Sequence, residues 1–410
     1  MRNLKLILGS FFLLISTVLN AQVSLDTYLK TAAENNPNLK AKFNEYMAAL
    51  EVAPQVKALP DPQIAFAYFI NPVETRVGPQ QFKIAASQMF PWFGTSKAKE
   101  NAAIQIAKAK YERFEESKSK LFQEVKADYY NLYFNQKAQV ITLDNIVILK
   151  IFQKLATIKV EAGLVSLVDE YRIEMELNEL ENQLDLLRDK QRVLEVSFNN
   201  FLNVDAMTKV DLPEDLGRED ISLSREAALD SITNSNHQLL QLIFQQTALD
   251  YRRDVARLKG KPSFKIGLDY TFIGKGEKNL AGKDAFVFPS VGLSIPLYRK
   301  KYKAMVKEVV YMEVANTNDK INKANMLESL FENTWKDYLD ANRRIDLYER
   351  QLKLANNSLS LLETEYATGN KNFEEILRME RKALKFNLEK EKAKADKQAS
   401  IAFVSYLMGK

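Results

Sequence analysis

The chain has 410 residues, of which only 13 are Gly and 11 are Pro. Turns and short strands need such residues about every dozen positions, so this composition argues against a succession of short elements and indicates long helices. The formal net charge is +5, from 58 Lys and Arg against 53 Asp and Glu. These charges are interspersed, which is typical of solvated helix faces and gives no sign of a nucleic-acid-binding surface.

The first 21 residues have the pattern of a secretory signal peptide. Arg2 and Lys5 precede an apolar run from Leu6 to Val18, and the small residue Ala21 precedes the expected cleavage site. A transmembrane anchor is the alternative, but the run is shorter than the roughly 20 apolar residues that a bilayer requires. Because the chain has no cysteine, we expect neither disulfides nor a lipid on an N-terminal Cys.

The first half of the mature chain is predicted to contain short helices, a β-hairpin and a pair of long helices. Two strand-like segments lie within residues 62–91, and a run from Lys97 to Val160 has almost no breaker residues. A continuous helix of that length would extend roughly 95 Å. A turn at Ala162-Gly163 precedes a second helix that ends near Leu202. Its apolar residues recur at coiled-coil spacings, namely Leu177, Leu180, Leu184, Leu187, Leu194, Phe198 and Phe201.

The second half repeats the same order about 200 residues later. Four landmarks recur at nearly constant offset: Pro62 and Pro262, the strand-closing segments 90–93 and 295–298, Gly163 and Gly369, and the segments 198–202 and 403–407. Such self-similarity predicts an internal duplication.

The predicted repeats comprise residues 22–202 and 223–410, with a linker at 203–222. The first contains a β-hairpin at 62–91 and a long helix pair at 97–202, and the second a β-hairpin at 262–296 and a helix pair at 299–409. A heptad without a break follows the long helix of the second repeat, through Phe331, Tyr338, Ile345, Leu352, Leu359 and Tyr366.

The strand segments alternate between apolar and polar residues. From Phe264 to Phe272 every second side chain is large and apolar, and Lys265, Gly267 and Asp269 lie between them. Strands of about 9 to 11 residues with this pattern cross outer membranes, although soluble hairpins packed on a helix alternate in the same way. Four strands cannot close a barrel alone, so a membrane location would require several subunits to share one barrel.

Three short motifs lie at the ends of the predicted elements: residues 58–62 (Ala-Leu-Pro-Asp-Pro), 90–94 (Phe-Pro-Trp-Phe-Gly) and Ala162-Gly163-Leu164. With the duplicated order of elements, they resemble the TolC family of outer-membrane efflux proteins. The first two are similar to the heavy-metal exporter branch that includes CusC and CzcC, and the third resembles the family's helix-hairpin tip. The resemblance implies a mainly α fold with a small β part, in which long antiparallel coiled-coil helices form an α-barrel. It also implies a homotrimer whose twelve strands form one transmembrane β-barrel, with a long periplasmic extension.

The resemblance further implies partners and a site. The partners would be a periplasmic adaptor (membrane fusion protein), an inner-membrane pump of the RND type and outer-membrane lipid, in an efflux system for metal ions or drugs. The adaptor would dock on the tips, at Gly163, Leu164, Gly369 and Asn370.

Acidic residues after the second tip constrict the tunnel in this family, and the matching positions are Asp169 and Glu375. Arg378 departs from the acidic pattern at the next such position. Alternatively, Asp169 and Glu375 are ordinary helix-start acids, which the helix dipole favours.

No catalytic, cofactor or metal site is predicted. His237 is the only histidine, and we interpret it as a surface or capping residue near a helix start. Met305, Met312 and Met326 have helical spacings that are more typical of core residues than of a copper site. A passive channel is therefore favoured over an enzyme. The alternative function is a periplasmic coiled-coil scaffold or adhesin that never enters the membrane.

Overall fold

A computed structural model describes residues 24–217, 219–276, 282–367 and 373–410. The predicted signal peptide and the tip residues Gly369 and Asn370 lie outside the described residues. The described residues form nine helices: α1 (Leu25–Asn35), α2 (Pro37–Leu50), α3 (Val52–Lys57), α4 (Thr95–Glu161), α5 (Leu167–Leu202), α6 (Arg225–Ser235), α7 (His237–Leu258), α8 (Arg299–Ala367) and α9 (Phe373–Leu407). They also form four strands: β1 (Gln63–Thr75), β2 (Gly78–Phe90), β3 (Ser263–Ile273) and β4 (Ala285–Ser294).

The long helices confirm the predicted mainly α fold. The breaker-poor run forms α4, a single helix of 67 residues, and its counterpart α8 has 69 residues. The seam residues Leu177, Leu180 and Leu184 of α5 are buried, as are Phe331 and Leu359 of the heptad on α8. No helix in the described part of the chain is both long and apolar enough to cross a membrane.

The four strands form one antiparallel sheet in the order β1-β2-β3-β4. The two predicted hairpins are therefore joined edge to edge through β2 and β3. Among the described residues, β1 pairs only with β2 and β4 only with β3. A β-bulge interrupts the last pair, because Phe288 and Pro289 of β4 both lie opposite Leu268 of β3. The alternation of residue types did not predict this bulge.

The chain divides into two compact units. The first contains the described residues up to Asn36, together with Leu121–Ile221 and Lys336–Phe403, and the second contains Pro37–Lys120, Ser222–Trp335 and Val404–Lys410. Each unit therefore takes segments from both predicted repeats. The core of the first unit is a cluster in which α4 and α5 pack with α8 and α9, and its most buried side chains are Leu149, Ala156, Ile173, Phe373 and Ile376.

In each half of the chain, an asparagine side chain donates a hydrogen bond to the last turn of the final helix of that half. In the first unit the side chain of Asn36 donates to the Phe201 carbonyl (3.0 Å). In the second unit the side chain of Asn236 donates to the Leu407 carbonyl (2.8 Å). These carbonyls lie in the last turn of α5 and α9, where intrahelical donors are missing, so the amides satisfy acceptors that the helix leaves open.

The structure corrects two side-chain interpretations. His237 does not cap α7, because the Asn236 side chain accepts from the backbone N–H of Gln238 at that helix start. His237 is half-buried, and its Nδ1 lies 2.7 Å from Glu112 Oε2. Met312 and Met326 are 37% and 48% exposed, so helical spacing alone wrongly assigned them to the core of the chain.

Candidate functional site

One face of the sheet consists of large apolar side chains, and we call it the apolar face. Cross-strand register places Phe66, Ile84, Tyr270 and Phe286 opposite one another across all four strands. Aromatic contacts reinforce the neighbouring row, where the rings of Phe82 and Phe272 stack with centroids 5.0 Å apart.

The apolar face is exposed to an extent that is unusual for a soluble protein. The apolar side chains of β1 are the most exposed: the exposed fractions are 78% for Ile64, 66% for Phe66 and 87% for Ile70. On β4 the value is 71% for Val291. A contiguous exposed apolar patch marks a surface that another apolar phase or partner covers. The predicted alternation is thus confirmed, and no described helix covers this face at those residues.

The opposite face carries mainly small and polar residues, with Val287 of β4 opposite Asp269 as an apolar exception, and we call it the polar face. Ala65, Ala85 and Asp269 lie opposite one another on this face. Lys83 Nζ lies 2.9 Å from Asp269 Oδ1, which forms an ion pair between β2 and β3. The two faces therefore differ in the way that a sheet between lipid and water requires.

The first helix tip is built on Gly163, which lies just beyond the end of α4. Its φ is +70°, a left-handed conformation that side chains with a Cβ atom rarely adopt. The N–H of Gly163 donates to the Val160 carbonyl, and that of Leu164 donates to the Lys159 carbonyl, both at 2.9 Å. This is the Schellman pattern, which satisfies the last carbonyls of a helix. Leu164 is then 72% exposed at the tip.

The structure places Asp169 in the first turn of α5. Arg172, one turn later, lies 3.3 Å from Asp169 and 3.3 Å from Glu374 of α9. Glu375 pairs with Arg378, the arginine that interrupts the acidic pattern. Each candidate constriction acid thus has an arginine beside it in the same chain. Sequence reasoning considered Arg378 but missed Arg172, although its i, i+3 spacing from Asp169 was visible.

Two further contacts join the helix pairs near the tips, and sequence reasoning missed both. The Arg381 guanidinium of α9 lies 2.6 Å from Glu176 of α5, whose side chain is only 9% exposed. The Lys159 ammonium donates to the Tyr366 carbonyl at 2.5 Å and lies 3.8 Å from the centre of the Tyr366 ring. Lys159 thereby places a positive charge at the end of α8, where the helix dipole favours it. No local pattern indicates such pairs, because their partners are about 200 residues apart.

A buried carboxyl lies in the same unit. Glu380 of α9 is 6% exposed, and the Asn145 amide of α4 donates to its Oε2 at 3.2 Å. Burial raises the pKa of Glu380, and the nearby Glu363 carboxylate raises it further, whereas the Asn145 hydrogen bond lowers it. Within the described ranges, no group of three or more acidic or histidine side chains is placed to hold a metal ion.

No protein-family model matches the sequence, and no curated protein matches it. Solved structures do match. The outer-membrane channel OprN is 15% identical, with 94% of this chain and 89% of that chain covered and a TM-score of 0.80. The outer membrane protein VceC from Vibrio cholerae is 12% identical, with coverages of 94% and 96% and a TM-score of 0.76.

CusC is 14% identical, with coverages of 94% and 92% and a TM-score of 0.75. It is thus no more similar to the chain than the other channels are, and the heavy-metal branch stays a prediction. At these identities the likeness concerns the fold, and it extends over nearly the whole chain. The chain therefore has the fold of these outer-membrane channels, which is the TolC-type fold that its sequence motifs resemble.

Proposed function

We propose that the chain is one subunit of an outer-membrane efflux channel, a passive duct without catalytic chemistry of its own. The observation that carries this proposal is the sheet with one exposed apolar face, one polar face and two edge strands. In lipid, the apolar face needs no protein cover, whereas the same face in water would favour aggregation. The likeness to outer-membrane channels supports the same assignment.

The two outer edges of the sheet support a barrel that several subunits form together. Within the described residues, β1 and β4 each pair on one side only, so their outer N–H and C=O groups need partners from elsewhere. Unpaired backbone groups cost several kcal/mol each in hydrocarbon. Pairing β1 of one subunit with β4 of the next removes both edges, and three subunits give a barrel of twelve strands. We propose this homotrimer, with the helices extending into the periplasm.

The helix tips are the proposed docking region for a periplasmic adaptor that connects the channel to an inner-membrane pump of the RND type. Apolar side chains at the first tip support this assignment, since Leu164, Val168 and Tyr171 are all more than half exposed. Asp169 and Glu375 are proposed to constrict the duct. Metal ions and drugs both remain proposed substrates, because a passive duct leaves the choice of substrate to the pump.

Cysteine labelling in intact membranes tests the membrane assignment, and the absence of native cysteines makes each introduced thiol unique. Ile64→Cys and Phe66→Cys place the thiol on the apolar face, and Ala65→Cys and Ala67→Cys are matched controls on the polar face. We expect a membrane-impermeant maleimide to label positions 65 and 67 and to leave 64 and 66 unlabelled, because only the polar face contacts water.

Equal labelling at all four positions would contradict the membrane assignment. So would recovery of the protein as a soluble monomer after lysis, which would favour the scaffold instead. A trimer that fractionates with outer membranes and survives mild detergent is the expected companion result.

A further inference from the structure

A cavity of about 300 Å³ lies at the helical end of the sheet, entirely within the second unit. The start of α4, the end of α7 and the start of α8 surround it, together with the ends of β3 and β4. Gly94, just before α4, adopts φ +82°, a left-handed conformation that side chains with a Cβ atom rarely adopt. We call this cavity the junction pocket.

The junction pocket is strongly basic. Lys99, Lys259 and Lys261 contribute to its lining, and no acidic residue does so among the described residues. Nearby Glu100 is already paired with Lys57 and Lys97, each at 3.0 Å. Four further basic residues follow at the start of α8, namely Arg299, Lys300, Lys301 and Lys303. The three lining lysines come from two separate segments, the start of α4 and the residues after α7, so no single stretch of sequence contains all of them.

A buried hydroxyl without a partner lies in the same lining. Thr95 is the first residue of α4 and is only 4% exposed, and its Oγ1 has no hydrogen-bond partner among the described residues. An unsatisfied buried hydroxyl costs about 1 to 3 kcal/mol, so such groups usually have a function or a bound partner. The positive end of the α4 dipole lies here as well, and it favours an anion that accepts from the hydroxyl.

Aromatic and aliphatic side chains surround the same region. Trp92 stacks on Phe264 of β3, with ring centroids 5.8 Å apart. Phe93, Leu297 and Tyr298 are 77%, 75% and 82% exposed. Tryptophan and tyrosine with exposed apolar neighbours are typical of the boundary between membrane and water. The surroundings therefore offer an apolar surface to whatever carries the anion.

We propose that the junction pocket binds the head-group phosphate of an anionic phospholipid, in the leaflet on the helical side of the sheet. The lysines and the Thr95 hydroxyl hold the phosphate, and the acyl chains lie along Phe93, Leu297 and the apolar face. This inference rests on the proposed membrane location of the sheet. Lipid is favoured over free phosphate because only lipid also covers the exposed apolar side chains.

The fluorescence of Trp92 can report whether a lipid binds in the junction pocket. The chain has two tryptophans, so Trp335→Phe leaves Trp92 as the only one. Purified protein in detergent micelles that contain brominated phosphatidylglycerol should show stronger Trp92 quenching than the same protein in micelles that contain brominated phosphatidylcholine.

Each basic residue near an anionic lipid contributes about fivefold in affinity, so Lys259→Gln with Lys261→Gln should reduce the preference for phosphatidylglycerol over phosphatidylcholine roughly 25-fold. The matched control, Lys190→Gln with Lys320→Gln, removes two exposed lysines of α5 and α8 outside the pocket and should leave the preference unchanged.

The variant Thr95→Val tests whether the hydroxyl contributes to lipid binding without contributing to the stability of the fold. Because the hydroxyl has no partner in the described part of the chain, its loss should not lower the thermal midpoint in lipid-free detergent. The same variant should bind phosphatidylglycerol about tenfold more weakly, since a hydrogen bond to a charged phosphate is lost.

Equal quenching by the two lipids would overturn the proposal, as would an unchanged preference in the Lys259/Lys261 variant. Displacement of the lipid by inorganic phosphate at a concentration equal to that of the lipid would also overturn it, because the acyl chains would then add nothing to binding. Maleimide labelling of residues 64–67 reports the membrane location independently. If that labelling alternates while the lipid preference is missing, only the lipid site is wrong.

Discussion

At the residue scale, Glu380 is the clearest case of a side chain whose protonation is linked to stability. Burial raises the pKa of Glu380 in the folded state. At a pH between the unfolded-state pKa and the folded-state pKa, the folded protein therefore binds more protons at Glu380 than the unfolded protein does. The contribution of Glu380 to stability is therefore greatest below the unfolded pKa, about 4.3, and is lost as pH rises through the folded pKa.

Glu380→Gln should accordingly stabilise the protein at neutral pH. The glutamine keeps an acceptor for the Asn145 amide but cannot ionise, so the cost of a buried charge disappears, a gain of about 1 kcal/mol. Thermal unfolding should show the gain at pH 8 and little of it at pH 4. Glu179→Gln on the exposed side of α5 is the control, and it should change neither midpoint appreciably. An equal gain at both pH values would contradict the assignment to a buried charge.

At the element scale, the tip of the first helix pair depends on the conformation of one residue. A Cβ atom on Gly163 would meet none of the described residues within 4 Å, so the cost of a side chain there is attributed to the left-handed backbone. Gly163→Ala should weaken the end of α4 by about 1 kcal/mol. Hydrogen exchange of the amides at 163 and 164 measures this loss locally.

The chain offers a matched control. A Cβ atom on Gly217 would likewise meet none of the described residues within 4 Å, and the φ of Gly217 lies outside the left-handed range. Gly217→Ala should therefore be neutral or slightly stabilising. Similar exchange rates in Gly163→Ala and in the unmodified protein would show that the tip does not require the left-handed conformation.

At the scale of the whole assembly, the proposed constriction makes a prediction about ion selectivity. In a trimer, three copies of Asp169 and Glu375 would converge, but Arg172 and Arg378 offset their charges. Arg172→Ala with Arg378→Ala should raise the cation-to-anion permeability ratio of the closed state by at least about twofold. Asp169→Asn with Glu375→Gln should lower it. Single-channel recordings in planar bilayers measure both ratios.

Salt provides an internal check on this prediction. The Debye length falls from about 10 Å at 0.1 M to about 3 Å at 1 M, so the differences should shrink at high salt. Arg188→Ala is the control, because Arg188 pairs with Asp185 on an exposed part of α5. If all variants match the unmodified channel at low salt, the acids are ordinary helix-start residues and the constriction lies elsewhere.

The sequence by itself determined the elements of this protein. Scarcity of Gly and Pro indicated α4 and α8, coiled-coil spacing indicated the buried seams of α5 and α8, and period-two alternation indicated the apolar and polar faces of the sheet. These features are local, because helix and strand periods are properties of consecutive residues. Gly163 was identified for the same reason, since a helix end depends on its own few residues.

Only the tertiary structure decided which residues meet. It paired Arg381 with Glu176, placed Arg172 between Asp169 and Glu374, joined the two hairpins through β2 and β3, and brought Thr95 to the lysines of the junction pocket. It also showed that His237 pairs with Glu112 and that Met312 is exposed, contrary to expectation. The physical reason is that burial and pairing depend on neighbours from segments far apart in the chain, about which a single sequence contains no local signal.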